Sequence, residues 1–234
     1  RLPGDEYLVD RMNFEAVQFI ERHRDQPFFL YLSHYAVHTI LNGKPALVDK
    51  YRGKHPPGKS TRDRCYLCQD AGLAGDAGNH WAQDHNPHLA AMLESIDDGV
   101  GMIMETLERL KLDDNTLIIF SSDNGPTSAG GADPGFFDGN GPFRGIKFEL
   151  YEGGIRCPMI ARWQGRIAER SETEHISAHW DVLPTLCELA GTEYPDEYRD
   201  RRITPTTGIS MVPYWKGEVD RPRTRTLYLQ HMND

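Results

Sequence analysis

Asp123 and Asn124 stand side by side directly after an apolar run, Thr116-Leu117-Ile118-Ile119-Phe120, and are followed by Gly125. A carboxylate beside an amide oxygen is the kind of donor pair that a hard cation such as Ca²⁺ takes. Arg144 and Lys147 follow across a stretch rich in glycine. A lysine close to a metal can hold a tetrahedral oxyanion as a point charge and stabilise charge developing on a leaving oxygen. His38, placed after another apolar run, could bind the same anion or protonate a leaving group. Together these residues are equipment for handling an anionic ester. Each also has a plainer reading. Asp123-Asn124 could cap local backbone as an Asx turn, Lys147 could be a solvated surface residue, and His38 could be a loop histidine bonded to backbone.

The elements that must position them are legible in outline. Met12, Ala16, Phe19, Ile20 and His23 recur at helical spacing and predict a helix over about residues 11–24. Phe28-Phe29-Leu30-Tyr31-Leu32 is a continuous apolar run of strand length, expected to be buried on both faces of a parallel sheet. Residues 42–86 are rich in Gly, Pro, Asp and Lys without periodicity and predict a long insertion loop. Asn86 as N-cap and Pro87 at the first helical position open a helix to about residue 111. Its apolar face is expected at Leu89, Met92, Leu93, Ile96, Val100, Ile103, Met104, Leu107 and Leu110. A strand over 116–120 ends at Asp123, a glycine-rich loop fills 125–145, and a further strand is expected around 159–163. A short helix over 181–190 is stopped by Gly191, and residues 226–229 read as a last strand. Helix, turn and strand in this order predict an α/β layered fold, with ligands beyond the carboxyl ends of the strands. Both His38 and Asp123 fall there.

Composition bounds the function. With 234 residues, 38% hydrophobic and 26% charged, the chain is long and apolar enough for a substantial core. Its net charge of -9 argues against a nucleic-acid surface. No run approaches the roughly 18 apolar residues that a membrane span needs. The four cysteines, Cys65, Cys68, Cys157 and Cys187, allow three pairings that sequence does not choose among. Asp97 and Asp98 are adjacent on a helix and point about 100° apart, which disfavours a shared carboxylate site.

Several motifs agree in order. They are the 28–32 run leading to His38-Thr39, Asp97-Asp98-Gly99-Val100-Gly101, residues 115–125, Arg144-Gly145-Ile146-Lys147, Leu150-Tyr151-Glu152-Gly153-Gly154-Ile155-Arg156, Asp181-Val182-Leu183-Pro184-Thr185-Leu186, and Gly208-Ile209-Ser210. In this order they closely resemble the formylglycine-dependent sulfatases of the arylsulfatase type. The resemblance implies an alkaline-phosphatase-like α/β/α sandwich. It implies that Asp123 and Asn124 are calcium ligands, that Lys147 contacts the substrate sulfate, and that His38 contacts it near the leaving oxygen. It further implies a formylglycine nucleophile, a sulfated small molecule or glycan as substrate, and a periplasmic or secreted location. Tyr151-Glu152 is expected to support the Lys147 loop.

Two departures qualify the resemblance. The family flanks the histidine with prolines, where this chain has Val37 and Ile40. The family's nucleophile motif, Cys-x-Pro-x-Arg, matches none of the four cysteines. The expectation is therefore the C-terminal part of a sulfatase catalytic domain over residues 1–193, then a polar segment over 194–234 that starts a small subdomain. The N-terminal part of the domain would be absent from the sandwich and would be this chain's partner. Alone the chain is expected to be inactive, and to aggregate or pair. The competing readings are a phosphodiesterase or phosphonate hydrolase on the same scaffold, and a non-catalytic binding protein that keeps it. Cys65, Cys68, His80 and His85 nearly match zinc-finger spacing. The segment between them carries Gly and Asp where a finger needs an apolar core, so local disulfide or free thiols are favoured there.

Overall fold

A computed structural model of the chain describes residues 6–54, 86–129, 132, 134–219 and 227–229. Cys65, Cys68, His80 and His85 lie outside the described residues. The described chain divides into two compact units. One holds the residues up to 113 and those of 121–159, and the other holds 114–120 and those of 160–229. Among the described residues no helix is long and apolar enough to cross a membrane.

The first unit is built on three helices, α1 (Leu8–His23), α2 (Pro45–Arg52) and α3 (Pro87–Arg109). The expected start of α3 is observed: Asn86 is the N-cap, its side chain accepts the His88 N–H at 3.0 Å, and Pro87 follows. Both α1 and α2 pack on α3. The buried face of α3 is not the apolar stripe predicted. Ala91, Ser95 and Gly99, at helical four-residue spacing, are buried together with Met92 and Leu107, whereas Leu93 and Met104 are exposed. Small residues let a neighbouring backbone come close. A Cβ on Gly99 would lie 2.1 Å from Asn13 Oδ1, and Asn13, itself buried on α1, donates from Nδ2 to the Ser95 carbonyl at 2.9 Å. Hydrophobicity counts miss such a face because its residues carry little apolar area. The α2 helix also packs on α3 and lies inside the segment expected to be loop. Pro45 starts it and Val48 is buried. A Cβ on Gly43 would meet Ala91 Cβ at 2.6 Å, and the Gly43 N–H donates to His88 Nδ1 at 3.2 Å. Ion pairs Lys50–Glu94 and Arg109–Glu21, each at 2.5 Å, edge these contacts.

The expected strand over 28–32 is not formed. The segment has no ladder partner among the described residues, and Phe29 and Tyr31 are 66% and 79% exposed. An apolar run supplies side chains for a sheet interior but not the hydrogen-bonded neighbours that make a strand. The expected strands at 116–120 and 159–163 appear as β1 (Ile118–Ser121) and β2 (Met159–Arg162), which pair in a two-stranded sheet. They too are less buried than expected, with Ile160 63% exposed. Two short helices, α4 (Pro134–Phe137) and α5 (Glu152–Ile155), lie between β1 and β2.

The second unit is organised by Asp181. A 3-10 turn, His179–Asp181, leads into α6 (Val182–Leu189), and Gly191 follows with φ +67°, as its stop position predicts. The Asp181 carboxylate is fully buried. One oxygen accepts the Ala178 N–H and the other the Ile209 N–H, both at 2.9 Å. Thr185, one turn on, donates to the Asp181 carbonyl at 2.7 Å and accepts the Met211 N–H at 2.9 Å. These bonds fasten the 208–211 segment to the start of α6. Gly208 is required there, since a Cβ would sit 2.1 Å from the Trp180 carbonyl oxygen. The segment continues into α7 (Val212–Trp215), whose Val212 and Trp215 are buried. Between α6 and α7, β3 (Glu197–Tyr198) and β4 (Arg201–Arg202) pair antiparallel, Glu197 opposite Arg202 and Tyr198 opposite Arg201. Leu227 to Leu229, expected within a last strand, carry no strand.

Replacing Asp181 by Ala would leave two half-buried N–H donors without their side-chain acceptor. Orphaning a fully buried group costs about 1–3 kcal/mol and a half-buried one less, so Asp181→Ala should lower unfolding free energy by about 1–3 kcal/mol in urea titration. It should also speed amide exchange at Ile209. A variant as stable as the parent, with Ile209 still protected, would refute the role.

Candidate functional site

The loop after β1 and the segment 144–154 are laced together by backbone. The Gly125 N–H donates to the Gly154 carbonyl at 2.9 Å, the Lys147 N–H to the Pro126 carbonyl at 2.8 Å, and the Gly153 N–H to the Arg144 carbonyl at 2.7 Å. Side chains are excluded at the crossings. A Cβ on Gly125 would lie 1.9 Å from the Gly153 carbonyl oxygen, and one on Gly153 would lie 2.2 Å from that of Gly145. Asn140 Nδ2 reaches the carbonyls of Phe143 and Gly145 at 2.9 and 2.8 Å and ties in the preceding loop. Asp123, Asn124 and Lys147 are thereby presented from one cluster of loops.

The geometry of each predicted residue is as follows. Asp123 is exposed, and among the described residues no hydrogen bond or ion pair engages its carboxylate. Half-buried Asn124 donates from Nδ2 to the Gly125 carbonyl at 2.8 Å, which leaves Oδ1 as its available oxygen. These two oxygens suit a hard cation. A calcium ion takes about six to eight, and among the described residues no group of three or more His, Cys, Asp and Glu is gathered to complete a shell. The pair therefore fits as part of a metal site whose remaining ligands come from water or from outside the described residues. Lys147 is half-buried, and among the described residues its ammonium has no carboxylate within ion-pair reach; its described contact is the Phe148 ring, 5.4 Å to the centroid. The neighbouring cations are differently placed. Arg144 lies over the Tyr151 ring at 3.8 Å, and Arg156 pairs with Glu152 at 3.3 Å and lies over Phe143 at 4.5 Å. Tyr151 thus supports the loop by stacking, while Glu152 serves Arg156 rather than Lys147.

His38 is exposed, and every contact described for it is local. Nδ1 lies 3.0 Å from the Thr39 carbonyl oxygen, the ring lies 5.3 Å from that of Tyr35, and its N–H donates to the Tyr35 carbonyl at 2.9 Å. The Nδ1 contact leaves Nε2 for another partner. The peptide bonds before Val37 and Ile40 are cis, at the positions where the resembled family has proline. The described contacts thus bring Asp123, Asn124 and Lys147 together and leave His38 on a separate segment of the same unit. Two neighbours were not singled out by sequence. Cys157 is half-buried, and burial, with the Asp123 charge adding to it, pushes its thiol up. His34, four residues before His38, has a buried Nδ1 with no partner among the described residues, and burial pulls its pKa below 6.5.

This is the mixed α/β architecture of the alkaline-phosphatase-like class, carrying oxygen donors and a cation on loops after a strand. The chain belongs to the sulfatase family: the family model described as Sulfatase matches residues 2–192. It is 33% identical over 223 residues to steryl-sulfatase of Rattus norvegicus, covering 94% of this chain and 32% of that protein. It is 31% identical over 212 residues to N-acetylgalactosamine-6-sulfatase of Homo sapiens, covering 90% and 33%. The crystal structure of the PsFucS1 sulfatase from Pseudoalteromonas sp. superposes with a TM-score of 0.60 at 25% identity, over 94% of this chain and 38% of that one. The chain spans about a third of the length of the curated relatives it matches.

Gly153→Ala drives a Cβ into backbone that has no side chain to give way, so it should cost about 1–3 kcal/mol or more and deprotect the Gly125 and Lys147 amides, which bond across the two loops, in hydrogen exchange. Unchanged protection would show that the loops are not so interlocked. For His34 the sign is set by the lowered pKa. The unfolded chain binds the proton first, so stability falls as pH drops through 6.5 toward the folded value and is unaffected well above it. The urea midpoint should therefore fall more for the parent than for His34→Gln between pH 8 and pH 5; equal falls would contradict this.

Proposed function

We propose that this chain is the part of a sulfatase that holds the sulfate group of a sulfate ester, aryl, steroid or carbohydrate. The observation that carries the reading is Lys147: a half-buried residue whose cation has no carboxylate partner among the described residues, fastened by backbone to the loop bearing Asp123 and Asn124, in a chain of the sulfatase family. A lysine whose backbone is fixed and whose ammonium is not taken up by a carboxylate can offer that charge to an anionic ligand.

In this reading Lys147 binds an equatorial sulfate oxygen and stabilises charge that grows there as the ester bond breaks. Asp123 and Asn124 would hold Ca²⁺, which when bound acts as a Lewis acid on the same sulfate oxygens. His38 would act through Nε2, holding or delivering the proton that the departing alcohol oxygen needs. The four cysteines of the chain do not match the nucleophile motif, so the formylglycine nucleophile is proposed to come from outside these residues. The sulfated substrates of the relatives support the ester class without choosing among alcohols. The scaffold is compatible with a phosphodiesterase, because sulfate and phosphate esters share tetrahedral geometry.

The test uses the natural protein that carries this chain. It should turn over an aryl sulfate faster than the matched aryl phosphate, and Lys147→Ala should lower kcat/KM by about 10²–10³. His38→Ala should cost much more with a poor leaving group than with nitrophenol, because only the poor one needs a proton. Asp123→Ala should weaken Ca²⁺ binding measured by calorimetry. Faster hydrolysis of the phosphate would sink the sulfatase reading in favour of the phosphodiesterase one. Full activity in Lys147→Ala would remove that residue from the mechanism.

A further inference from the structure

We propose that Phe148 determines specificity for the alcohol half of the ester, by stacking its open ring on a flat ring of the substrate whose sulfate Lys147 holds. The inference rests on the reading of Lys147 just given.

Three aromatic residues surround the loop, and they are not equivalent. The Phe143 ring carries the Arg156 guanidinium at 4.5 Å, and the Tyr151 ring carries that of Arg144 at 3.8 Å. Among the described residues Phe148 has only the Lys147 ammonium near its face, at 5.4 Å, and it is 73% exposed. The backbone under it is unusual. The Glu149 N–H donates to the Ile146 carbonyl at 3.0 Å, and the Glu149 side chain accepts the Ile146 N–H, also at 3.0 Å. These bonds close a four-residue turn with Lys147 and Phe148 at its tip. Phe148 takes φ +79°, the left-handed value that the third position of such a turn normally reserves for glycine. A bulky side chain there is strained, and exposing its ring forgoes apolar burial as well. Folding alone would favour glycine on both counts. Strain kept in this way clusters at ligand-contacting positions. The residue sharing the turn tip is the cation proposed to bind sulfate, so a ring attached to that sulfate would extend over a neighbouring aromatic face. The class of ligand is a sulfate ester of a ring alcohol, either aryl or pyranose, both of which offer a flat carbon face.

Non-hydrolysable sulfonates separate the two halves of the site. Equilibrium binding of inorganic sulfate, methanesulfonate, benzenesulfonate and sulfoquinovose would be measured on the natural protein and on Phe148→Gly, Phe148→Trp and Lys147→Ala. The parent should prefer a ring sulfonate over methanesulfonate by about three- to tenfold, the range of one aromatic contact. Phe148→Gly should abolish the preference, keep the affinities for sulfate and methanesulfonate, and keep or raise Tm. Phe148→Trp should restore the preference. Preference for benzenesulfonate would assign an aryl alcohol, and preference for sulfoquinovose a pyranose. A preference that persists in Phe148→Gly, while Lys147→Ala abolishes binding, overturns this inference and leaves the sulfatase reading standing. A Phe148→Gly protein with lowered Tm and no affinity for any anion marks a structural residue and also overturns it. Failure of every anion to bind the parent, or binding indifferent to Lys147→Ala, removes the sulfate-site reading and this inference with it.

Discussion

Backbone lying directly on backbone, between the Gly125 loop and the 144–154 segment, is the constraint on which the rest of the site depends. At Gly125, Gly153 and Gly154 a Cβ would come within about 2 Å of a carbonyl oxygen, 1.9 to 2.2 Å, far inside any contact that repacking relieves. Glycine gives up side-chain burial and costs conformational entropy at these places. What it secures at Gly125 is a fixed distance between two loops, and at Gly153 and Gly154 a 144–154 segment folded tightly on its own backbone, each loop presenting chemical groups at its neighbouring non-glycine positions. The Lys147 amide is bonded into that lattice at Pro126. The lysine is therefore carried by a fixed backbone while its side chain remains available. A site on loops gains the rigidity of a regular element in this way.

The arrangement of charge follows from the same lattice. Exposed ion pairs elsewhere, such as Lys44–Asp10 and Lys50–Glu94, each at 2.5 Å, are worth little to stability. What matters is where pairing fails. Arg144 and Arg156 are absorbed by Tyr151, Phe143 and Glu152. Lys147 and Asp123 sit on interlocked loops, yet no ion pair within reach joins them. Held apart, each can face a third party instead of neutralising the other.

The parts of the structure set by local chemistry were legible in the sequence. Asn86-Pro87 announced the start of α3 because capping and a fixed proline φ act within a few residues. Gly191 announced a stop for the same reason. The loop cluster was legible through its motif order, and Asp123, Asn124 and Lys147 with it. What depended on a partner was not. The buried face of α3 runs through Ala91, Ser95 and Gly99, chosen by how closely α1 approaches rather than by hydrophobicity. The 28–32 run has the composition of a buried strand, yet a strand exists only where neighbours supply its ladder. The burial of Asp181 could not be read either, since its two acceptor bonds reach Ala178 and Ile209, the latter 28 residues away. Phe148 escaped notice because its turn lacks the glycine that would have marked it.

Charge sets what Asp123 and Asn124 can contribute. With Asp123, the 144–154 segment sets three negative charges (Asp123, Glu149, Glu152) against two positive ones (Arg144, Lys147), so the loop cluster alone has little net pull on an anion, and the chain as a whole carries -9. A lysine in such a field gains little by long-range attraction, and its value lies in a short, oriented contact. A divalent cation on Asp123 and Asn124 would reverse the local sign, because a bound ion is the largest charge in its surroundings. An anion in short contact with Lys147 would then sit in a field of favourable sign. Asp123-Asn124 and Lys147 fall on two loops, and the close backbone approach at Gly125 holds those loops in register.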